Sequence, residues 1–409
     1  MRRAAEDVAR PFYQWSDRSP DREVERIARE HVLTGPSPHS SPALAMRDRS
    51  ALFVWLLSSA ASGIAVNAGA QGTAAPAAAP SRVTLDDSHF HLTNYVQRGI
   101  TLRDALRLMG DSVGRVAVFG IPLQQEWMHS VDGDRAPTYY LQSDAPLYYY
   151  SFTDAVIATE YLSLPPAERA RFDPMITGFN PGDMYAADHI RRVLATFPGV
   201  FTGIGEFSVH KEFVSSKTQP GPASLVDPAL DSVLATAGEI GLVAIVHNDM
   251  DVPFPADSAT PAYLEQMKAL VRRHPNTTII WAHTGVGRIV RPVRNHAATL
   301  ASMLSDPAFA NLYFDISWDL VARYVVESPE SVRITADLIN RFPDRFLFGT
   351  DAVAPATATA YLTTNTLYAP LWAALNPDAR SKVRVGNYER LFDAARTKVR
   401  AWEAAHVSK

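Results

Sequence analysis

Cysteine is absent from all 409 positions. That single absence excludes a Cys nucleophile, a Cys-rich zinc ribbon, an iron–sulfur cluster and a disulfide framework. Nor is there a positive excess: 39 Lys+Arg stand against 43 Asp+Glu, a net charge of −4, which argues against a nucleic-acid partner. No acidic block or internal repeat is visible. What remains, 47% apolar and 20% charged, is the composition of a packed globular protein. Any bound metal must be held by His, Asp or Glu.

The first eighty residues do not read as part of a core. Residues 1–45 are rich in Arg, Asp and Glu with scattered Pro and Ser. A second methionine, Met46, is followed by Arg47-Asp48-Arg49, an apolar run from Ala51 to Leu57, and the small-residue exit Ala68-Gly69-Ala70. Charged start, apolar middle and small-residue exit make residues 46–70 a signal peptide, with residues 1–45 a charged extension whose translation is open. A membrane anchor is the rival reading, but the Ser/Gly/Asn-rich second half of the run suits it poorly. The expectation is a periplasmic or secreted protein with no stable membrane insertion once the segment is cleaved. Residues 71–81 form an Ala/Pro linker.

From residue 82 onward, short β-branched runs alternate with helical patterns. Eight candidate strands lie at Val83–Leu85, Arg115–Phe119, Met175–Phe179, Phe201–Gly205, Val243–Val246, Thr278–Trp281, Leu312–Ile316 and Arg345–Phe348. Helical patterns fill the gaps, the first opened by a capping box at Thr101–Asp104. Strands of about five residues separated by helices imply parallel pairing. Eight such units predict an α/β fold, a distorted (β/α)8 TIM barrel, over residues 82–409. A doubly wound sheet would carry a Gly-rich loop after its first strand, where this chain has Ser88-His89-Phe90-His91. A long β2-α2 insertion, Ile121 to Thr153, carries Trp127, Tyr139, Tyr140, Tyr148, Tyr149 and Tyr150. It is read either as a lid or substrate wall, or as rings that pack the insertion onto the barrel.

Chemistry-bearing residues recur where apolar runs stop. His89 and His91 are two apart at the end of the first strand and so share a face. Glu206 closes the fourth run, His247 the fifth, His283 the sixth and Asp351 the eighth. In a barrel, the carboxyl ends of the strands converge on one mouth. Buried imidazoles and carboxylates are costly unless paired or metal-bound, so a set of six converging there predicts a metal site.

The ordered series DSHFH, GIGE, the strand ending in His247, WAHTG, FDISW, FGTD and Asn387–Phe392 resembles the amidohydrolase superfamily, in its amidohydrolase-2 (amidohydrolase-related) branch. The resemblance spans roughly residues 85–392 and implies a divalent metal at the mouth of a distorted TIM barrel. It implies His89, His91 and Asp351 as metal ligands, His247 as a further ligand, and His283 as either a ligand of a second ion or a catalytic residue. Glu206 takes the position where some relatives bridge two metals, so one or two ions remain open. Zn²⁺ suits imidazole and carboxylate best, with Mn²⁺, Fe²⁺ or Co²⁺ as alternatives.

The expected enzyme is a metal-dependent hydrolase cleaving an amide, ester or lactone of a small-molecule substrate with a metal-activated water. Asp351 would be the base, and His283 would stabilise the oxyanion or act as acid if it is not a ligand. Asp315 would fix a histidine tautomer or serve structure. Arg98, Arg288 and Trp318 are the candidate substrate-binding residues. A metal-dependent decarboxylase of an aromatic or unsaturated acid is the alternative, and a catalytically dead barrel acting as a binding protein a further one. Homo-oligomer formation is left open.

Overall fold

A computed structural model describes residues 84–255 and 260–407. The expected extension, signal peptide and linker lie outside the described residues. Eight parallel strands follow one another around the sheet: β1 (Leu85–His91), β2 (Val113–Phe119), β3 (Phe172–Ile176), β4 (Gly203–Ser208), β5 (Val243–His247), β6 (Ile279–Trp281), β7 (Leu312–Asp315) and β8 (Phe346–Leu347). A two-residue strand, β9 (Ala352–Val353), lies on the far side of β1. The end of β8 closes the circle: Ser88 N donates to Phe348 O at 3.0 Å, and Asp351 N donates to His89 O at 2.7 Å. The architecture is a distorted TIM barrel, as the alternation predicts.

Among the described residues, the longest helix after each strand is, in turn, α1 (Leu102–Met109), α2 (Phe152–Ser163), α3 (Ala186–Thr196), α4 (Pro228–Ile240), α5 (Leu264–Arg273), α6 (His296–Ser305), α7 (Pro329–Arg341) and α8 (Asn387–His406), with shorter helices between them. The capping box forms: Thr101 Oγ1 accepts from Asp104 N, and Asp104 Oδ2 accepts from Thr101 N. The sequence pattern does not separate out the twenty-residue α8. Its Tyr388, Leu391, Phe392 and Ala395 pack with Ala117, Met175, Val243, Ile245 and Ile280. These strand residues alternate with Val116, Val118, Ala244, Val246 and Ile279, which face the helix layer. Period-two alternation thus gives every strand an inner and an outer set.

Strand β1 extends the Val83–Leu85 run and ends in the DSHFH segment, as the shared face of His89 and His91 requires. Every residue in it is buried, which no half-polar stretch reveals from pattern alone. The insertion is also more ordered than a loop. Leu123–Gln125 and Leu147–Tyr149 pair as an antiparallel ribbon, and Tyr140 and Leu147 are buried with Tyr95 and Val214. Trp127 is 57% exposed and its Nε1 donates to Gly133 O, so that ring belongs to the surface of the insertion.

Candidate active site

Strand register alone sends the key side chains inward. Phe90 and Leu92 belong to the outer layer, so His89 and His91 face the opposite way. Val243 and Ile245 are inner residues, and His247 continues their face. His283 and Asp351 follow their strands in left-handed conformations, with φ of 57° and 51°. Gly349 lets β8 approach the first histidine: a Cβ there would lie 2.6 Å from His89 Cβ and 2.9 Å from Ser317 Cβ.

All six predicted groups meet. His89 Nε2 and His91 Nε2 lie 3.3 Å apart, and Asp351 Oδ1 is 3.5 Å from the first and 3.0 Å from the second. Glu206 sits between two histidine pairs and gives each a different oxygen. Its Oε2 lies 3.4 Å from His91 Nε2 and 3.8 Å from His89 Nε2. Its Oε1 lies 2.6 Å from His247 Nδ1 and 3.6 Å from His283 Nε2. The donor atoms of His89, His91 and Glu206 form one compact group, those of Glu206, His247 and His283 another, and those of His89, His283 and Asp351 a third.

The outer nitrogens are held from behind. His89 Nδ1 donates to Asp315 Oδ2 at 3.0 Å, because an ionised carboxylate only accepts. The other oxygen of Asp315 accepts from His283 N at 2.8 Å and from Ser317 Oγ at 2.5 Å. Ser317 Oγ then accepts from His283 Nδ1 at 2.8 Å. His247 Nε2 faces Asp249 Oδ1 at 3.2 Å. Each arrangement aims the remaining nitrogen at the centre, and His283 Nε2 is buried with no hydrogen-bond partner.

Electrostatics follow this geometry. Burial would push the Glu206 carboxyl up, but the Lys211 ammonium and His247 outweigh it and hold it well below the usual carboxylate range. Burial likewise opposes ionisation of Asp351, yet His89 and His91 hold it low. Burial and Lys211 depress His247, while Glu206 and Asp249 overcome both and push it up to about 9. Burial keeps His283 below the ordinary histidine range, hence neutral.

Three further residues escape the sequence reading. Asp249 lies two positions beyond His247, at a spacing that could have drawn notice. Lys211, three residues past the end of β4, is buried, with Nζ 3.9 Å from Glu206 Oε1. Buried Glu212 accepts from Tyr140 OH at 2.9 Å, and burial together with Asp249 pushes its carboxyl up to about 7. Of the candidate substrate residues, Trp318 stands over the cluster, its ring 5.1 Å from that of His283. Arg288 lies 5.4 Å from the same indole and donates to Tyr139 OH at 2.9 Å. Arg98 does not join them: it is exposed in a turn, where its backbone N donates to Asn94 Oδ1.

The amidohydrolase-2 family, described as Amidohydrolase, matches residues 87–394, and the chain belongs to it. Among solved structures, the chain is similar to a putative 2-pyrone-4,6-dicarboxylic acid hydrolase from Pseudomonas putida, at 13% identity and a TM-score of 0.47, covering 76% of this chain and 98% of that one. It is similar to a 2,6-dihydroxybenzoate decarboxylase from Rhizobium, at 14% identity and a TM-score of 0.46, covering 76% and 99%. A zinc-bound amidohydrolase from Burkholderia multivorans gives 14% identity and a TM-score of 0.47, again covering 76% and 99%. No curated protein matches the sequence.

Proposed function

We propose that the chain is a metal-dependent hydrolase that cleaves an amide, ester or lactone in a small molecule. The observation that carries the reading is Glu206, which gives one oxygen to the His89–His91 pair and the other to the His247–His283 pair. Lone-pair-bearing atoms from four strands face one another across a few ångströms, an arrangement that a divalent cation relieves. Zn²⁺ suits these ligands, and the shared carboxylate fits two ions better than one. A cation held there would polarise the substrate carbonyl and acidify a water.

The remaining steps belong to side chains. Asp351 is ionised, with Oδ2 3.8 Å from His283 Nε2, and is the group that takes the water proton and returns it to the leaving atom. His283 donates through Nδ1 to Ser317, so Nε2 carries a lone pair. That supports a ligand role and disfavours an oxyanion donor. Trp318 and the insertion, through Tyr139, wall the mouth.

The test is elemental analysis beside a screen of esters, lactones, amides and aromatic acids, with CO2 scored separately. Stoichiometric metal and hydrolysis of one class is the expected result. CO2 release without hydrolysis would replace the reading with a decarboxylase, and protein that purifies without metal would leave a binding protein. We also propose export, with the mature chain starting near Gln71; N-terminal sequencing that returns Met1 would refute it.

A further inference from the structure

His247 stands between two carboxylates. Its Nδ1 lies 2.6 Å from Glu206 Oε1, and its Nε2 lies 3.2 Å from Asp249 Oδ1. A neutral imidazole carries one N–H and one lone pair. With the lone pair on Nδ1, His247 serves the central cluster and its Nε2–H donates to Asp249. With the proton on Nδ1, donated to Glu206, the lone pair on Nε2 turns toward Asp249 instead. Two acceptors then face each other at 3.2 Å, and a cation beside them removes the conflict.

The flank of His247 away from Glu206 carries a second carboxylate. The end of β5 is tied to the segment after β4, since Asp249 N donates to His210 O at 2.8 Å and Glu212 N to Asp249 Oδ2 at 2.9 Å. Tyr140 OH occupies Glu212 Oε1, which leaves Glu212 Oε2 buried with no hydrogen-bond partner. Glu212 is only 6% exposed, and Asp249 and His247 1% each. One donor atom from each of the three lies within 4.8 Å of the other two. Gly287 runs past this group: a Cβ there would lie 2.5 Å from Asp249 Oδ1 and 3.1 Å from Glu212 Oε2. The lack of a side chain keeps the space beside both oxygens open. A buried carboxylate oxygen without a partner is costly, and a ligand that fills the space relieves it.

We propose that Glu212 Oε2, Asp249 Oδ1 and His247 Nε2 form a separate seat for a divalent cation, on the flank of the Glu206-centred cluster. One imidazole and two carboxylates suit Zn²⁺ or Mn²⁺, with water completing the shell. His247 has a single lone pair, so it serves the flank or the centre but not both. The flank is therefore an alternative position for a second ion, filled when free metal is in excess or when the central bridge is lost. It shares only His247 with the central cluster and needs no turnover to exist.

Equilibrium dialysis of E206Q against increasing free Zn²⁺ tests this. The substitution removes the bridge, while its amide oxygen still accepts from His247 Nδ1–H and so turns the Nε2 lone pair to the flank. Excess zinc should add one ion per chain to E206Q. The double variant E206Q/E212Q keeps an acceptor for Tyr140 but loses a ligand, and should not take up that ion. E206Q/G287A keeps all three ligands and crowds the space beside them. It should need at least about tenfold more zinc, in line with the cost of overpacking a tight site. Thermal midpoints report folding, and if E206Q/E212Q does not fold, E206Q/G287A decides. No added ion in E206Q would overturn the proposal, as would uptake by a folded E206Q/E212Q equal to that of E206Q. Bound zinc is counted without any substrate. A chain that hydrolyses nothing would therefore sink the hydrolase reading and leave this result standing.

Discussion

Asp315 accepts from His89 Nδ1 at 3.0 Å through one oxygen and from the backbone N–H of His283 at 2.8 Å through the other. One carboxylate therefore sets the tautomer of a histidine on β1 and the position of another after β6. Asp315→Asn keeps the shape but places a donor where an acceptor is needed. Metal affinity should fall about 10- to 100-fold, as for other residues that orient ligating histidines. Titration of the metal-free protein with Zn²⁺ measures it, and an unchanged affinity would reduce Asp315 to a packing role.

The His89→Ala/His91→Ala variant should lose both bound metal and turnover while retaining its far-ultraviolet circular dichroism. Both side chains are buried, but the barrel layer is held by Phe90 and its outer neighbours. Full activity in this variant would end the hydrolase proposal.

Glu206→Gln tests the count of ions. Its two oxygens face different histidine pairs, so an amide that offers a single good acceptor should lower the content from two ions per chain to one. If the wild-type protein holds only one ion and the variant keeps it, Glu206 is not a bridge.

At the opposite end of the barrel, stability should be the casualty. Asp173, buried near the start of β3, accepts from Arg115 Nη2 at 2.7 Å, Arg396 Nη2 at 2.7 Å and Tyr388 OH at 2.8 Å. It ties α8 to the strands. Asp173→Ala leaves Arg115 without its buried partner and should cost about 3–5 kcal/mol in chemical denaturation. A loss below about 1 kcal/mol would contradict this.

Asp154 gives a pH signature unrelated to the site. Burial pushes its carboxyl up to about 7, although the N–H groups of Thr177 and Gly178 partly oppose the shift. Its folded value therefore lies above its unfolded one. Below about pH 4 both states are protonated; between about 4 and 7 the unfolded state ionises while the folded state does not, so stability falls as pH rises through that window. Relative to wild type, Asp154→Asn should gain stability across that window and no further above it. A pH-independent difference between the two proteins would refute the assignment.

How much of this is legible without coordinates varies with the physical signal. The eight strands and the helices through α7 carry clear periodicity, and each ligand candidate stands where an apolar run stops. The burial of Asp86, Asp87 and Ser88 in β1 is hidden because they pair with groups such as Arg115, Thr350 and Phe348 that are distant in sequence. His274 shows the same limit: it lies in an Arg-Arg-His-Pro stretch yet is buried against Asp231 at 2.7 Å. The inward placement of Lys211 and Asp249 is not legible because charge next to a strand usually means solvent. Only the closed barrel turns them toward Glu206 and His247. Arg98 errs in the other direction: proximity to a strand end in sequence does not carry a side chain into the mouth.

The circuit that ends with Ser88 N donating to Phe348 O has a consequence for assembly. His89 and Asp351 come from opposite ends of the folded domain, so no nascent fragment that stops short of the eighth strand can bring them together. Capture of a cation by the complete set would then be a late event in maturation, and its release an early sign that the ring of strands has opened.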